Sequence, residues 1–163
     1  HTFSVRFSFL EGISNGFLQD LAQTIGRNMK TLRSLHIDFL QSFYFGKEPS
    51  LTVQMATFLG FQGISDQGMK NLGVALFKEC QCLESLDLHF YGYPDISSRG
   101  VKRLCDNLIK IKSLKQIRLK FESCSEVCLW EQVKSNQKSK QHKEIKLYYY
   151  YQGDTKYFYL SLQ

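Results

Sequence analysis

The chain alternates between two hydrophobic spacings, and the alternation recurs in three units at residues 13–39, 64–90 and 96–121. In the middle unit, apolar residues first recur at helical spacing, as at Leu72 and Leu76. They then occupy every second position from residue 86 to residue 90. The first spacing is typical of an amphipathic helix and the second of a half-buried strand. Each unit therefore predicts a helix followed by a short strand.

Weaker copies of the pattern precede and follow these units. Residues 3–7 alternate and predict the strand half of an earlier unit. Residues 125–149 predict a further unit, with a helix at 126–137 and a strand at 145–149. Parallel strands need a crossover of a dozen or more residues, which the helices supply. We therefore predict parallel strands in one sheet, with the helices on one side of it.

Two segments depart from the repeat. Ile64 lies 25 positions after Phe39, where the corresponding later distance is six, so residues 40–60 are interpreted as an insertion. Its pattern does not distinguish a short helix from a strand. Residues 148–162 predict an antiparallel hairpin with its turn at Gln152-Gly-Asp-Thr155. The last strand of the hairpin either covers the exposed sheet edge or pairs with another chain.

The motif L-x-x-L-x-L at residues 83–88, followed by I-S-S-R-G and L-C within residues 96–105, resembles the leucine-rich repeat family of the ribonuclease-inhibitor type. The resemblance implies an α/β solenoid, with a parallel β-sheet on the concave face and helices on the convex face. That family usually places Asn or Cys three residues after the last strand Leu. This chain has Leu40, Tyr91 and Glu122 there, each preceded by Phe. The departure predicts longer strands and a less regular curvature.

Small residues mark the start of each predicted helix. Gly16, Gly68 and Gly100 either ease the turn into the helix or allow close packing. The candidate N-caps beside them are Ser14, Ser65 or Asp66, and Ser97 or Ser98.

Strand residues that alternate with the core positions form two polar columns on the other face. The columns read Arg6, His36, Asp87, Arg118, Lys146 and then Ser8, Asp38, His89, Lys120, Tyr148. In-register strands place His36 beside Asp87 and Asp38 beside His89. Such a set suits a divalent metal in type, but its spacing favours a mixed-charge surface, so no metal site is predicted. The candidate partner-binding residues are Arg6, His36, Asp38, Asp87, His89, Arg118, Lys120, Lys146 and Tyr148.

Composition bounds the class of protein. With 163 residues, 43% of them hydrophobic, the chain can form one domain with its own core, residues 1–163. Because it opens on His1 rather than Met, we expect it to be a fragment of a longer protein. The longest uncharged stretch, residues 49–65, is too polar to span a membrane. Five cysteines without metal-binding spacing predict core or boundary thiols in an intracellular, reducing compartment, with the cytoplasm favoured.

The net charge and the absence of known catalytic motifs reduce the number of functional classes that fit the sequence. The net charge of +6 favours partners with an acidic surface. Nucleophile-elbow, phosphate-loop and zinc-protease motifs do not occur, so no enzymatic activity, catalytic residue or cofactor is predicted. We predict a non-catalytic protein-interaction or scaffold module, acting as a structural subunit or docking domain of a larger assembly. The alternatives are a basic nucleic-acid-binding module and a regulatory repeat domain of a larger enzyme, and the oligomeric state stays open.

Overall fold

The computed structural model describes residues 1–8, 13–40, 63–122, 124, 143–151 and 154–162, and everything below concerns these. The elements in chain order are β1 Thr2–Ser8, α1 Asn15–Asn28, β2 Ser34–Leu40, α2 Asp66–Glu79, β3 Ser85–Tyr91, α3 Ser98–Leu108, β4 Gln116–Glu122, β5 Lys143–Tyr151 and β6 Asp154–Leu162. The predicted helix at 126–137 and nearly all of the predicted insertion at 40–60 lie outside the described residues.

The six strands form one sheet in sequence order, and strands β1 to β5 are parallel. This confirms the parallel α/β architecture predicted from the alternating spacings. β6 runs antiparallel to β5, which confirms the predicted hairpin. It begins at Asp154, so Asp154 and Thr155 belong to the strand rather than to the turn. In this chain β6 pairs with the edge strand β5 and covers that edge.

The apolar positions of the strands face the helices. Leu86, Leu88 and Phe90 are buried, and they belong to one cluster with Leu72 and Leu76 of α2. The corresponding residues of β2, β4, α1 and α3 join the same cluster. The described helices therefore lie against one face of the sheet, and the core fills the space between the two layers.

A row of stacked phenylalanines crosses the strands. The ring centroids of Phe7 and Phe39 lie 5.6 Å apart, those of Phe39 and Phe90 lie 5.0 Å apart, and those of Phe90 and Phe121 lie 5.5 Å apart. Each such pair contributes about 0.5–1.5 kcal/mol beyond the area that it buries. The row occupies the position just before that of the Asn or Cys in the resembled family, so aromatic stacking connects neighbouring strands there.

Hydrogen bonds between the helix starts also connect neighbouring units. Ser14, Ser65 and Ser97 are the N-caps, and each side-chain hydroxyl accepts a hydrogen bond from a backbone N–H in the first turn. The first residue of one helix then reaches the cap of the next. Asn15 Oδ1 accepts the Ser65 N–H at 2.9 Å, and Asp66 Oδ1 accepts the Ser97 N–H at 2.7 Å.

Two of the marked glycines allow this close approach. Gly68 and Gly100 lie within the first turn of their helices, so they do not form the turn that leads into the helix. A Cβ atom at Gly68 would lie 2.4 Å from Asn15 Oδ1, and one at Gly100 would lie 2.3 Å from Asp66 Oδ1. Of the two roles predicted for these glycines, close packing is the one observed.

Gly16 differs from these two glycines. It is the second residue after its N-cap, whereas Gly68 and Gly100 are each the third. The third residue of α1 is Phe17, whose ring packs edge-on against Phe7 at 5.2 Å. A Cβ atom at Gly16 would meet only Ser14 Oγ, at an ordinary 3.7 Å. The predicted equivalence of the three glycines is therefore wrong for α1.

Replacement of Leu88 by Ala should lower the free energy of unfolding by about 2–5 kcal/mol, because the side chain is completely buried. Urea unfolding measures the loss. Met29→Ala is the control, since Met29 is 37% exposed at the end of α1, and it should cost less than about 1 kcal/mol. Similar losses in both variants would show that Leu88 is not a core residue.

A pair of glycine variants tests the contact between helices. Gly100→Ala should cost about 1–3 kcal/mol, because the added Cβ collides with Asp66. Gly16→Ala should be neutral or stabilise by up to about 1 kcal/mol, because space is present and Ala favours a helix. Thermal or urea unfolding compares the two. Equal effects would contradict the close approach of α2 and α3 at this glycine.

Candidate functional site

The sheet face turned away from the helices carries the polar strand residues. We call it the polar face and define it by its described residues, which are Arg6, His36, Asp38, Asp87, His89, Arg118, Lys120 and Glu122. These side chains alternate with the buried core positions of the same strands. No helix among the described elements packs on this face.

The strand register confirms one predicted arrangement and corrects another. His36 pairs with Asp87 and Asp38 pairs with His89, as the sequence predicts. Arg6 was predicted in the column of His36, but it lies opposite Asp38. The predicted column was wrong because β1 is displaced by two residues from the assumed alignment. The shift keeps Arg6 on the polar face and changes only its partner.

Asp38 is the centre of the polar face, with a side chain that is only 7% exposed. Arg6 Nε donates a hydrogen bond to Asp38 Oδ2 at 2.8 Å. The other carboxylate oxygen, Oδ1, lies 3.3 Å from His36 Nε2 and 3.5 Å from His89 Nδ1. Three strands therefore direct nitrogen atoms at one carboxylate.

These surroundings lower the pKa of Asp38. Burial alone raises the pKa, since it disfavours the charged carboxylate. The hydrogen bond from Arg6 and the neighbouring imidazoles act in the opposite direction, and together they prevail. The pKa of Asp38 accordingly lies below its ordinary value of 3.8. The carboxylate is thus charged at neutral pH and orients the groups around it.

His36 connects this centre to the next strand. Its Nδ1 lies 3.4 Å from Asp87 Oδ2, which also accepts a hydrogen bond from Arg118 at 3.0 Å. The second carboxylate oxygen, Asp87 Oδ1, is buried and has no hydrogen-bond partner among the described residues. Asp87 therefore positions Arg118 and His36 and retains an unused acceptor.

Glu122 belongs to the polar face although it was not among the predicted site residues. Its Oε1 lies 3.1 Å from His89 Nε2, but the contact is not counted as a hydrogen bond, and this buried nitrogen has no hydrogen-bond partner among the described residues. The signal for Glu122 was present in the sequence, since it follows Lys120 by two positions and the strand alternation places both on one face.

The charges on the polar face are layered. Arg6 is 67% exposed above Asp38 at 7%, and Arg118 is 49% exposed above Asp87 at 21%. The guanidinium groups are thus outermost and the carboxylates lie nearer the sheet. An approaching molecule therefore meets positive charge first. The net charge of the face is zero when the histidines are neutral, because it carries three cations and three carboxylates.

The remaining predicted residues are placed only by strand pairing. Lys120 pairs with His89, Lys146 with Arg118, and Tyr148 with Lys120. The side chains of Lys146 and Tyr148 lie outside what the structure describes, so their predicted roles stay predictions.

The four described cysteines are separate from the polar face, and Cys128 lies outside the described residues. Cys80, Cys105 and Cys124 are buried and form no disulfide bond among the described residues, and burial raises their thiol pKa values to about 11, about 12 and about 12. Such thiols are protonated and unreactive at neutral pH. Cys82 is exposed, so the prediction that it lies in the core or at its boundary is wrong. It follows Gln81 in the turn after α2, where its side chain faces solvent.

Asp38→Asn should lower the free energy of unfolding at neutral pH by about 1–3 kcal/mol, because Arg6 loses its charged acceptor. Folding lowers the pKa of Asp38, so its carboxylate stabilises the fold above the unfolded value near 3.8. This stabilisation disappears as the pH falls through the folded pKa. Urea unfolding should therefore show the difference between wild type and variant shrinking from neutral pH toward about pH 2.

The control for this variant is Asp20→Asn, at an exposed position on α1, which should change stability by less than about 0.5 kcal/mol. A difference between wild type and Asp38→Asn that stays constant throughout acidification would contradict the lowered pKa of Asp38.

Comparisons with protein-family models, curated proteins and solved structures find no match for this chain. Over the described ranges, no helix has the length and apolar character needed to cross a membrane. In the same ranges, no group of three or more His, Cys, Asp or Glu residues is arranged to hold a metal ion. The functional proposal accordingly rests on the polar face.

Proposed function

We propose that this chain is a non-catalytic protein-interaction module of the leucine-rich-repeat type, which binds a partner protein on its polar face. In this proposal the repeated units curve into a solenoid, with the polar face on the concave side. The regular succession of helix and parallel strand supports this assignment. So does the repeated contact between the start of one helix and the cap of the next.

One observation carries the proposal. No described helix packs on the polar face, and its charged side chains are fixed by contacts between strands. A surface whose side chains are already ordered loses little conformational entropy when a partner binds. Exposed ion pairs such as Arg118 with Asp87 add only about 0.2–1 kcal/mol each to stability, so stability alone does not account for them. Orientation of binding groups explains them better.

The proposal includes a scaffold role in a larger, intracellular assembly. A nucleic-acid-binding module and a regulatory domain of an enzyme remain the rival functions. The nucleic-acid alternative lacks specific support on the polar face, where Arg6 and Arg118 are each paired with a carboxylate. It is treated as an outcome of the experiment below.

A photo-crosslinking side chain tests the docking surface. Placed at Lys120 on the polar face, it should form a protein adduct in an extract of the source cells. Placed at Lys78, an exposed position on α2, it should give at least about fivefold less of that adduct, because the helix layer faces away from the partner. Mass spectrometry of the adducts measures both yields.

The adduct also separates the rival functions. An adduct at position 120 that nuclease destroys would replace the proposal with nucleic-acid binding. An equal or larger protein adduct at position 78 would place the docking surface on the helices and contradict the proposed face.

A further inference from the structure

We propose that the polar face recognises an extended acidic segment of a partner protein, with Arg6 and Arg118 as the two groups that bind its carboxylates. This inference rests on the proposed docking function and adds the chemistry of the partner. It follows from three observations. Hydrogen bonds orient both arginines, a set distance separates them, and carboxylates lie between them.

Among the described residues, each arginine makes one side-chain hydrogen bond and keeps further donors. Arg6 uses Nε to bind Asp38, so the N–H groups of its two terminal nitrogens are not used in that bond. Arg118 uses one terminal nitrogen to bind Asp87. A guanidinium group has five N–H donors in a rigid planar fork, which matches the two oxygens of a carboxylate. Each aspartate thus orients a guanidinium whose remaining donors can bind a second carboxylate.

The separation of the two arginines sets the form of the ligand. Arg6 lies on β1 and Arg118 on β4, three strand spacings apart, which is about 14 Å. The register displaces Arg118 by two residues along the strand, because Asp87 pairs with His36 and Arg6 pairs with Asp38. The combined distance is about 16 Å, which four or five residues of an extended chain span. The ligand is therefore a segment that crosses the strands with acidic residues four or five positions apart.

The charges between the arginines favour a protein over a nucleic acid. Asp38 and Asp87 lie between the two guanidinium groups, and Glu122 lies beside His89. A nucleic acid carries a phosphate at every nucleotide, so some of its phosphates would lie over these carboxylates and be repelled. A peptide segment can place neutral residues over the centre of the face and carboxylates only at the two ends.

A displayed library of random linear peptides is the probe. Selection on the whole chain should enrich peptides that carry two acidic residues four or five positions apart. Synthetic versions should bind about tenfold more weakly to Arg6→Gln and to Arg118→Gln, as expected for loss of one charge-assisted hydrogen-bonded pair. The double variant Arg27→Gln/Arg103→Gln is the matched control, because both residues are exposed on helices, and it should bind normally.

Two further measurements make the test specific. Arg6→Lys keeps the charge but loses the planar fork, so it should also bind the peptides more weakly than wild type. Urea unfolding of each variant shows whether a loss of binding follows from a loss of folding. Undiminished binding to the folded Arg6→Gln and Arg118→Gln variants would overturn the proposal.

The footprint of the selected peptides distinguishes the two proposals. Neutral peptides that shift the NMR signals of β2 to β4 would overturn acidic recognition and leave the docking face intact. Acidic peptides that shift only the signals of the helices would overturn both proposals. A single-stranded oligonucleotide that competes for the polar face at lower concentration than the peptides would replace an acidic protein segment with nucleic acid.

Discussion

Stacking of each helix–strand unit on its neighbour is the constraint on which the rest of this structure depends. A single unit cannot bury its apolar side, so the core exists only between adjacent units. The phenylalanine row and the bonds between helix caps repeat at the same relative positions and set one register for the strands. The register that brings Phe39 onto Phe90 also brings Asp38 beside His89. The polar face is therefore a consequence of the packing on the opposite side of the sheet.

Much of the fold could be predicted because two hydrophobic spacings alternate so regularly. The change from helical spacing at Leu72 and Leu76 to strand spacing at residues 86–90 locates both elements and the face that each one buries. The role of the glycines could not be predicted in the same way. Gly16 and Gly68 look equivalent in the sequence, and only the position of the N-cap shows that Phe17 takes the corresponding place. The hydrophobic spacing of about 3.6 residues in a helix does not locate its first residue closely enough to show a difference of one position.

For the candidate site, strand alternation predicts which residues share a face, but it does not predict which of them make contact. Arg6 was assigned to the correct face and to the wrong neighbour, since a two-residue shift of a strand preserves the face. The layering of charge was also beyond prediction. Whether a guanidinium lies above or below a carboxylate depends on side-chain rotamers and on burial, as the deep position of Asp38 shows.

The unequal connections between strands and helices bear on how such a chain changes during evolution. β2 ends at Leu40 and α2 begins at Asp66, whereas β3 ends at Tyr91 and α3 follows at Ser98. Both junctions nevertheless join units with the same strand register. The entropy cost of closing a connection grows only slowly with its length, by about 0.6 kcal/mol for each doubling, so a longer connection is compatible with the same core. Inherited variation in length should therefore collect at the carboxyl ends of the strands, next to Glu122, where new residues alter what the sheet can recognise while the repeat beneath stays intact.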